Sequence, residues 1–440
     1  MAVLSIVALL VGVAGAVGRP FRLPAWAVPV AAAAVVLGAG AISIGSADHA
    51  LSELSDPLAF LLAAVPLAVL LDRLGFFAAV AGLITARSSS VGGLWILAAL
   101  VTTVLNLDAA VVLLTPLYVS IARRRGRDPL LLAAQPVLLA CLASSALPVS
   151  NLTNLIAAAV TGAGTSDFLI HLGMPSLVAT AVGWWRYRIL LRRSEVTPAA
   201  LVAPVPSGGG VPEAIGDAQA GDRRRALVVG GIVVVGVLVG FTIGRRANLA
   251  PWEVALVGDA ALIAVQLGGR RTPHGSLRSL RREAIPWRTI LATAIPWRAV
   301  PVGTALVAGS LAVLAAAAVV HLRVDQLIGG TSIVALARTT LVAAVGANVV
   351  NNLPALLVAL PATGHGMTPS LWAVLLGVNM GPVLVVTGSL ASLLWLDALH
   401  RLGVPVRARD FSRIGAQVGL PAALAGVGTA LALAGTGVVA

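Results

Sequence analysis

Apolar runs of about twenty residues recur along the chain to its end, and that recurrence constrains the fold more than any other feature. At about 1.5 Å of rise per helical residue, such a run covers the roughly 30 Å hydrocarbon core of a bilayer. The expected fold class is therefore an all-α polytopic membrane protein. Composition agrees: of 440 residues 58% are hydrophobic and 11% charged, with a mean hydropathy of +0.98, outside the range of soluble domains. The 46 Gly and 25 Pro suit membrane helices that break around a cavity.

The formal net charge of +13 does not point to nucleic acid, because the arginines sit in short loops between apolar runs, where they set membrane orientation. The single cysteine, Cys141, excludes an internal disulfide and a Cys-cluster metal site. The segment Met1–Val17 has no basic residue before it and reads as a first membrane helix, not a cleaved signal.

Two kinds of interruption organise the chain. In residues 104–116 an apolar run is broken by Asn106 and Asp108, with Pro116 following. The fifteen residues before Asn106 reach roughly 22 Å, too short to span and return with ease. We read residues 91–121 as a re-entrant hairpin with a polar tip. Residues 130–162 are longer than one span needs and carry Leu147-Pro-Val-Ser-Asn-Leu-Thr-Asn154 in the middle, a discontinuous helix. A second hairpin (331–360) breaks at Asn348, Asn351, Asn352 and Pro354, and a second broken helix (370–395) holds Asn379-Met-Gly-Pro and Thr387-Gly-Ser-Leu-Ala.

Each half thus has three spans, a hairpin, a broken span and a plain span: residues 1–193 and 226–440, joined by a Pro-, Gly- and Ser-rich cytoplasmic linker at 194–225. The spans fall at 2–17, 25–45, 57–71, 168–185, 226–243, 250–267, 299–319 and 414–438, with 74–86 an in-plane connector. An arginine-rich surface segment at 269–298 carries two Ile-Pro-Trp-Arg repeats, Ile285–Arg288 and Ile295–Arg298. About ten spans and two hairpins result. Five spans per half reverse the second half, giving the two inverted repeats expected of a secondary transporter. Arginine placement puts both termini outside and the linker in the cytoplasm.

A broken helix in hydrocarbon leaves backbone groups that side chains, water or a substrate must satisfy. The breaks supply Asn106, Asp108, Ser144, Ser145, Ser150, Asn151, Thr153, Asn154, Asn348, Asn351, Asn352, Asn379, Thr387 and Ser389. Single Ser and Thr residues in membrane helices ordinarily join helices, whereas Asn at a break points to a substrate path. Asn both donates and accepts, and no arginine lies at this depth, so the set suits a small hydroxylated or oxyanion solute. The substrate-binding residues expected are Asn106, Asp108, Ser150, Asn151, Thr153, Asn348, Asn351, Asn352, Asn379, Thr387 and Ser389. Two deep acids are the proton-coupling candidates: Asp108 at the first tip and Asp259 in mid-span.

At these breaks the chain resembles the arsenite and antimonite efflux permeases, the arsenical pump membrane proteins of the ion transporter superfamily. The resemblance rests on Asn106-Leu-Asp-Ala with Leu-Thr-Pro116, on Leu147–Asn154, on Asn348-Val-Val-Asn-Asn-Leu-Pro-Ala355, and on the stretch from Gly377-Val-Asn-Met-Gly-Pro to Trp395. It implies inverted repeats with a scaffold and a mobile transport part. It also implies export of neutral trivalent arsenic or antimony hydroxide across the plasma membrane by alternating access, driven by a proton gradient or membrane potential. Some members are thought to work with a cytosolic arsenite-stimulated ATPase; this chain itself has no Walker motif. It departs from the family in having Asn-Leu-Asp-Ala where an Asn-Asp-Gly tip is expected, and Asn379 and Val383 where an acid and a further Asn are expected.

The nearest rival is a sodium- or proton-coupled di- or tricarboxylate carrier of the same superfamily. A membrane enzyme is disfavoured, because the six histidines fall near span ends or in loops and form no catalytic cluster. No cofactor or metal is expected, and oligomeric state is left open.

Overall fold

Runs rich in Leu, Val and Ala form helices throughout the computed structural model, which describes residues 1–18, 23–87, 91–195, 217–244, 249–269, 296–297 and 300–436. Every regular element among these residues is helical, and the chain is an all-α polytopic membrane protein. Among the described residues, six helices are long and apolar enough to cross a membrane: Ser55–Arg73, Thr165–Arg193, Gly221–Phe241, Val302–Val319, Ile333–Val350 and Ala408–Gly435. The remaining apolar helices are shorter, and several are the two pieces of an interrupted element.

The first interrupted element is a helix pair, Val91–Val104 and Leu107–Arg124, whose members pack on one another across Leu105 and Asn106. It is followed by a broken helix, Pro129–Leu142 and Leu152–Thr161, with a 3-10 turn at Pro148–Ser150 between the pieces. The same order returns in the second half. Ile333–Val350 and Asn352–Ala359 form the second pair, and Pro369–Met380 and Leu390–Arg401 the second broken helix, with a 3-10 turn at Val386–Gly388. Each half then ends in a long helix carrying a π-helical turn near its start, Leu169–Gly173 in one and Gly415–Gly419 in the other.

Packing between the halves is crossed. Ala2–Gly18 and Ala27–Gly38 pack against each other and against Val302–Val319 of the second half. Reciprocally, Pro251–Gly269 packs on Ser55–Arg73 and Asp217–Ile243 packs on Phe76–Arg87, both in the first half. The two long terminal helices, Met174–Glu195 and Leu420–Gly435, pack directly on each other. The largest fully buried side chain, Trp395 of the second broken helix, donates its indole N–H to the Ala133 carbonyl of the first at 2.7 Å.

Several bounds differ from the sequence reading. The span expected over 25–45 is a helix only over Ala27–Gly38, about 18 Å long. Left-handed Gly40 (φ +67°) turns the chain there, and Ser43 caps a separate helix, Ile44–Ser52. The connector at 74–86 is the helix Phe76–Arg87, entered through left-handed Gly75. The polar stretch at 194–225 becomes helical from Asp217, while its residues 196–216 lie outside the described residues. So does the arginine-rich segment with its Ile-Pro-Trp-Arg repeats, apart from Pro296 and Trp297.

Candidate functional site

Four helices begin at the breaks, and each has an Asn or Ser at its N-cap. Asn106 accepts from the Asp108 N–H at 2.8 Å, Asn151 from Thr153 at 3.2 Å, and Asn351 from Leu353 at 3.4 Å. Ser389 accepts from Ser392 at 3.1 Å. These side chains take up amide groups that the interrupted helices cannot pair themselves. The caps also fix how the halves correspond. Asn106 matches Asn351, one residue before the similar stretches Asn106-Leu-Asp-Ala and Asn352-Leu-Pro-Ala would align, and Asn151 matches Ser389. Asn151 and Ser389 have nearly the same backbone, φ −147° and −145°. Asn351 is the one non-glycine residue with positive φ among the described residues, at +77°.

Carbonyls at the breaks are satisfied just as specifically. Asn154 donates to the Ser144 and Leu147 carbonyls at 2.8 and 2.9 Å, closing the gap in the first broken helix. Ser150 donates to the Thr103 carbonyl at 2.6 Å, fastening that gap to the end of the first pair's leading helix. In the second half Asn351 donates to the Thr387 carbonyl at 2.9 Å, and Asn348 to the Ala344 and Gly381 carbonyls at 2.8 and 2.9 Å. Each helix-pair tip is therefore docked on the break of its own half.

The halves are joined at Asn379. Its Oδ1 accepts from Asn151 Nδ2 at 3.0 Å and from Thr153 Oγ1 at 2.7 Å, and its Nδ2 donates to Asn154 Oδ1 at 2.7 Å. All four residues are buried. The approach is set by the opposite face of the same helix: a Cβ on Gly377 would run into the Thr340 carbonyl, and one on Gly381 would lie 2.7 Å from Ala344 Cα. The spacing Gly377-x-x-x-Gly381 lets helices 333–350 and 369–380 meet backbone to backbone.

A second group of polar atoms is buried without partners: Asn106 Nδ2, Asp108 Oδ1, Ser145 Oγ and Asn348 Oδ1. Asn352 is buried too and makes no side-chain hydrogen bond. A buried polar atom left unpaired is costly, so these atoms are the ones with capacity for a solute. Thr387 contributes through its backbone carbonyl, and Ser389 is engaged with Ser392. The structure thus divides the expected residues. Asn151, Thr153 and Asn379 are held in one network, Ser150 fastens the first break, Ser389 caps the helix that follows the second, and Asn106, Asp108, Asn348 and Asn352 keep free capacity.

Asp259 lies elsewhere, in the helix Pro251–Gly269 that packs on Ser55–Arg73. It is buried, its Oδ1 has no partner, and it makes no hydrogen bond to the polar residues of the breaks. Cys141 is free and buried in the first broken helix. Three contacts escaped the sequence reading: Thr103 as the acceptor for Ser150, Arg186 Nε donating to the Gln417 carbonyl in the second π-turn at 3.0 Å, and Arg123 donating to the Leu402 carbonyl at 2.6 Å. All three use a backbone carbonyl, which no residue type advertises. The Gly-x-x-x-Gly spacing was the available signal for the close approach behind Asn379.

A family model described as citrate transporter matches residues 6–377. The arsenical pump membrane protein of Yersinia enterocolitica is 25% identical over 403 residues, covering 88% of this chain and 89% of the relative. One from Escherichia coli is 25% identical over 415 residues with the same coverage. An uncharacterized transporter of Mycobacterium bovis is 28% identical over 333 residues, 73% of this chain and 72% of that protein.

Proposed function

For a chain that belongs to the citrate transporter family, and is therefore a membrane transporter and not an enzyme, we propose export of trivalent arsenite or antimonite as the neutral hydroxide. One observation carries this reading: the unpaired atoms at the breaks are amide, hydroxyl and carboxyl groups, and no arginine is among them. Arsenous acid at neutral pH is an uncharged trihydroxide that donates and accepts, so it matches Asn106, Asn348 and Asn352 without a fixed cation. The four helix N-termini at the breaks add partial positive charge toward the solute's oxygens. Similarity to arsenical pump membrane proteins along most of the chain supports the same substrate class.

In this reading the helix pairs are re-entrant hairpins, each entering from one face of the plasma membrane, and the halves are inverted repeats. Both termini are extracytoplasmic and the central linker is cytoplasmic. Alternating access rocks the hairpins and broken helices against the crossed scaffold helices, in exchange for protons or driven by membrane potential. Asp108, beside the first cap and partly buried, carries the proton; Asp259 in the scaffold is the second candidate. A cytosolic arsenite-stimulated ATPase is a further partner the resemblance allows.

The family model's description favours a second reading, di- or tricarboxylate transport. Arsenite accumulation in everted vesicles, with and without a proton gradient, separates the two. Gradient-driven uptake that citrate does not inhibit supports arsenite export. Uptake of labelled citrate or succinate, with none of arsenite, transfers the assignment to carboxylates.

A further inference from the structure

The correspondence between the halves extends from the caps to the bonds around them. The offset that carries Asn106 to Asn351 also carries Thr103 to Asn348, and the offset that carries Asn151 to Ser389 also carries Ala143 to Gly381. Thr103 Oγ1 donates to the Ala143 carbonyl at 3.1 Å, and Asn348 Nδ2 donates to the Gly381 carbonyl at 2.9 Å. One bond is thus made twice, by different side chains, at the same place in each half. By the same offsets the Thr387 carbonyl, the acceptor of Asn351, corresponds to the Val149 carbonyl. Each is the middle residue of the 3-10 turn in its break, and the leading helix of each pair packs on that turn.

At the tips the halves part. Asn351 Nδ2 donates to the Thr387 carbonyl at 2.9 Å, whereas Asn106 Nδ2 is buried and has no partner. The backbone differs with it. The two residues share an extended ψ, 154° and 149°, but φ is +77° at Asn351 and 178° at Asn106. A left-handed φ at a residue other than glycine costs energy and persists where its surroundings hold it. At Asn351 the bond to Thr387 does so. At Asn106 the backbone is relaxed, and the cost lies in a buried amide left unpaired. Each tip lacks what the other has.

We propose that these two side chains are alternating latches on the substrate path. Asn351 closes the second tip on the Thr387 carbonyl in the state described. In the opposite state it lets go, and Asn106 turns its N–H onto the Val149 carbonyl. Each state then holds one latch, one strained φ and one unpaired amide, so the two lie close in energy, as a carrier that cycles between them requires. The unlatched amide is the one that meets the solute: Asn106 here, Asn351 in the opposite state. The proposal rests on the alternating-access reading above but on no particular substrate, and it makes both residues positioning residues.

Hydrogen exchange of the full chain in lipid nanodiscs, read on peptides covering residues 105–110 and 350–355, tests this with no substrate present. Asn106→Ser keeps a capping oxygen for the Asp108 N–H and removes only the unpaired amide. Because it deletes the latch of the opposite state, it should slow exchange at the second tip roughly two- to tenfold, the range that one internal hydrogen bond commands. Asn351→Gly, which accepts the positive φ, deletes the latch of the described state and should slow exchange at the first tip by a similar factor. A purely structural role would loosen only the tip that carries the substitution, and that result would overturn the latches. Should Asn351→Gly fail to fold, Asn106→Ser decides alone, since it breaks no bond other than the cap it replaces. Arsenite uptake absent while both effects across the tips remain would strike the substrate and keep the latches. Uptake present with no effect across the tips would strike the latches and keep the carrier.

Discussion

Asn379 is the residue on which most depends. Replacing it with Ala leaves Asn151 Nδ2, Thr153 Oγ1 and Asn154 Oδ1 to find other partners in a buried site. At about 1–3 kcal/mol for each buried group left unpaired, Asn379→Ala should lower the unfolding midpoint in detergent by more than any single exchange at Ser389, whose partner Ser392 is local. Asn351 makes a second residue-scale prediction. Its φ of +77° is a region that Gly enters freely and Ala does not. Asn351→Gly, which loses only the side-chain bonds, should therefore be more stable than Asn351→Ala, which adds strain; thermal unfolding of the two ranks them. The breaks were legible in the sequence because Asn inside an apolar run has few bland explanations; that Asn106, Asn151 and Asn351 cap the following helices was not. The partners of Asn379 were not, since they lie 225 to 228 residues away and no local pattern marks them.

Among elements, the helix Pro369–Met380 is held in place by its glycine face. Gly377→Val must push the Thr340 carbonyl and Ala343 aside, which separates two helices and drags Asn379 from its partners. Transport should fall along with stability. A still closer approach is at Gly415, where a Cβ would run into the Val383 carbonyl. The π-turn at Gly415–Gly419 brings the terminal helix against the second break, and Arg186 donates to that turn. Gly415→Ala should therefore lower the unfolding midpoint in detergent at least as much as Gly377→Ala does, as thermal unfolding of the two would rank. Hydropathy located nearly all of these helices, since a run of apolar residues is a property of the run itself. It overextended the one at 25–45, because Gly40 ends a helix by backbone conformation while the surrounding composition stays apolar.

For the whole molecule, the order of elements was readable from the sequence as two similar halves, but their crossed packing was not. That Ala2–Gly18 belongs beside Val302–Val319, and Pro251–Gly269 beside Ser55–Arg73, depends on side-chain fit between distant runs that look alike in composition. The coupling prediction also belongs at this scale. Asp108→Asn should abolish accumulation driven by a proton gradient while leaving substrate-gradient exchange measurable in the same vesicles. If accumulation persists, Asp259→Asn is the next variant, and loss there would move the proton from the breaks to the scaffold.

The link through Asn379 has a consequence for how the protein is made. Asn379 leaves the ribosome 228 residues after Asn151, which at about 5–20 residues per second is a delay of roughly ten to fifty seconds. Throughout that interval the Asn151 amide and the Thr153 hydroxyl sit at the membrane without their final acceptor, and Asn154 Oδ1 without its donor. The newborn first half is thus a waiting intermediate, and the insertion machinery or a neighbouring lipid must shelter its polar centre until the second half arrives. Arrested chains ending before residue 369 should therefore be cleared by membrane proteases faster than chains that extend past Leu402.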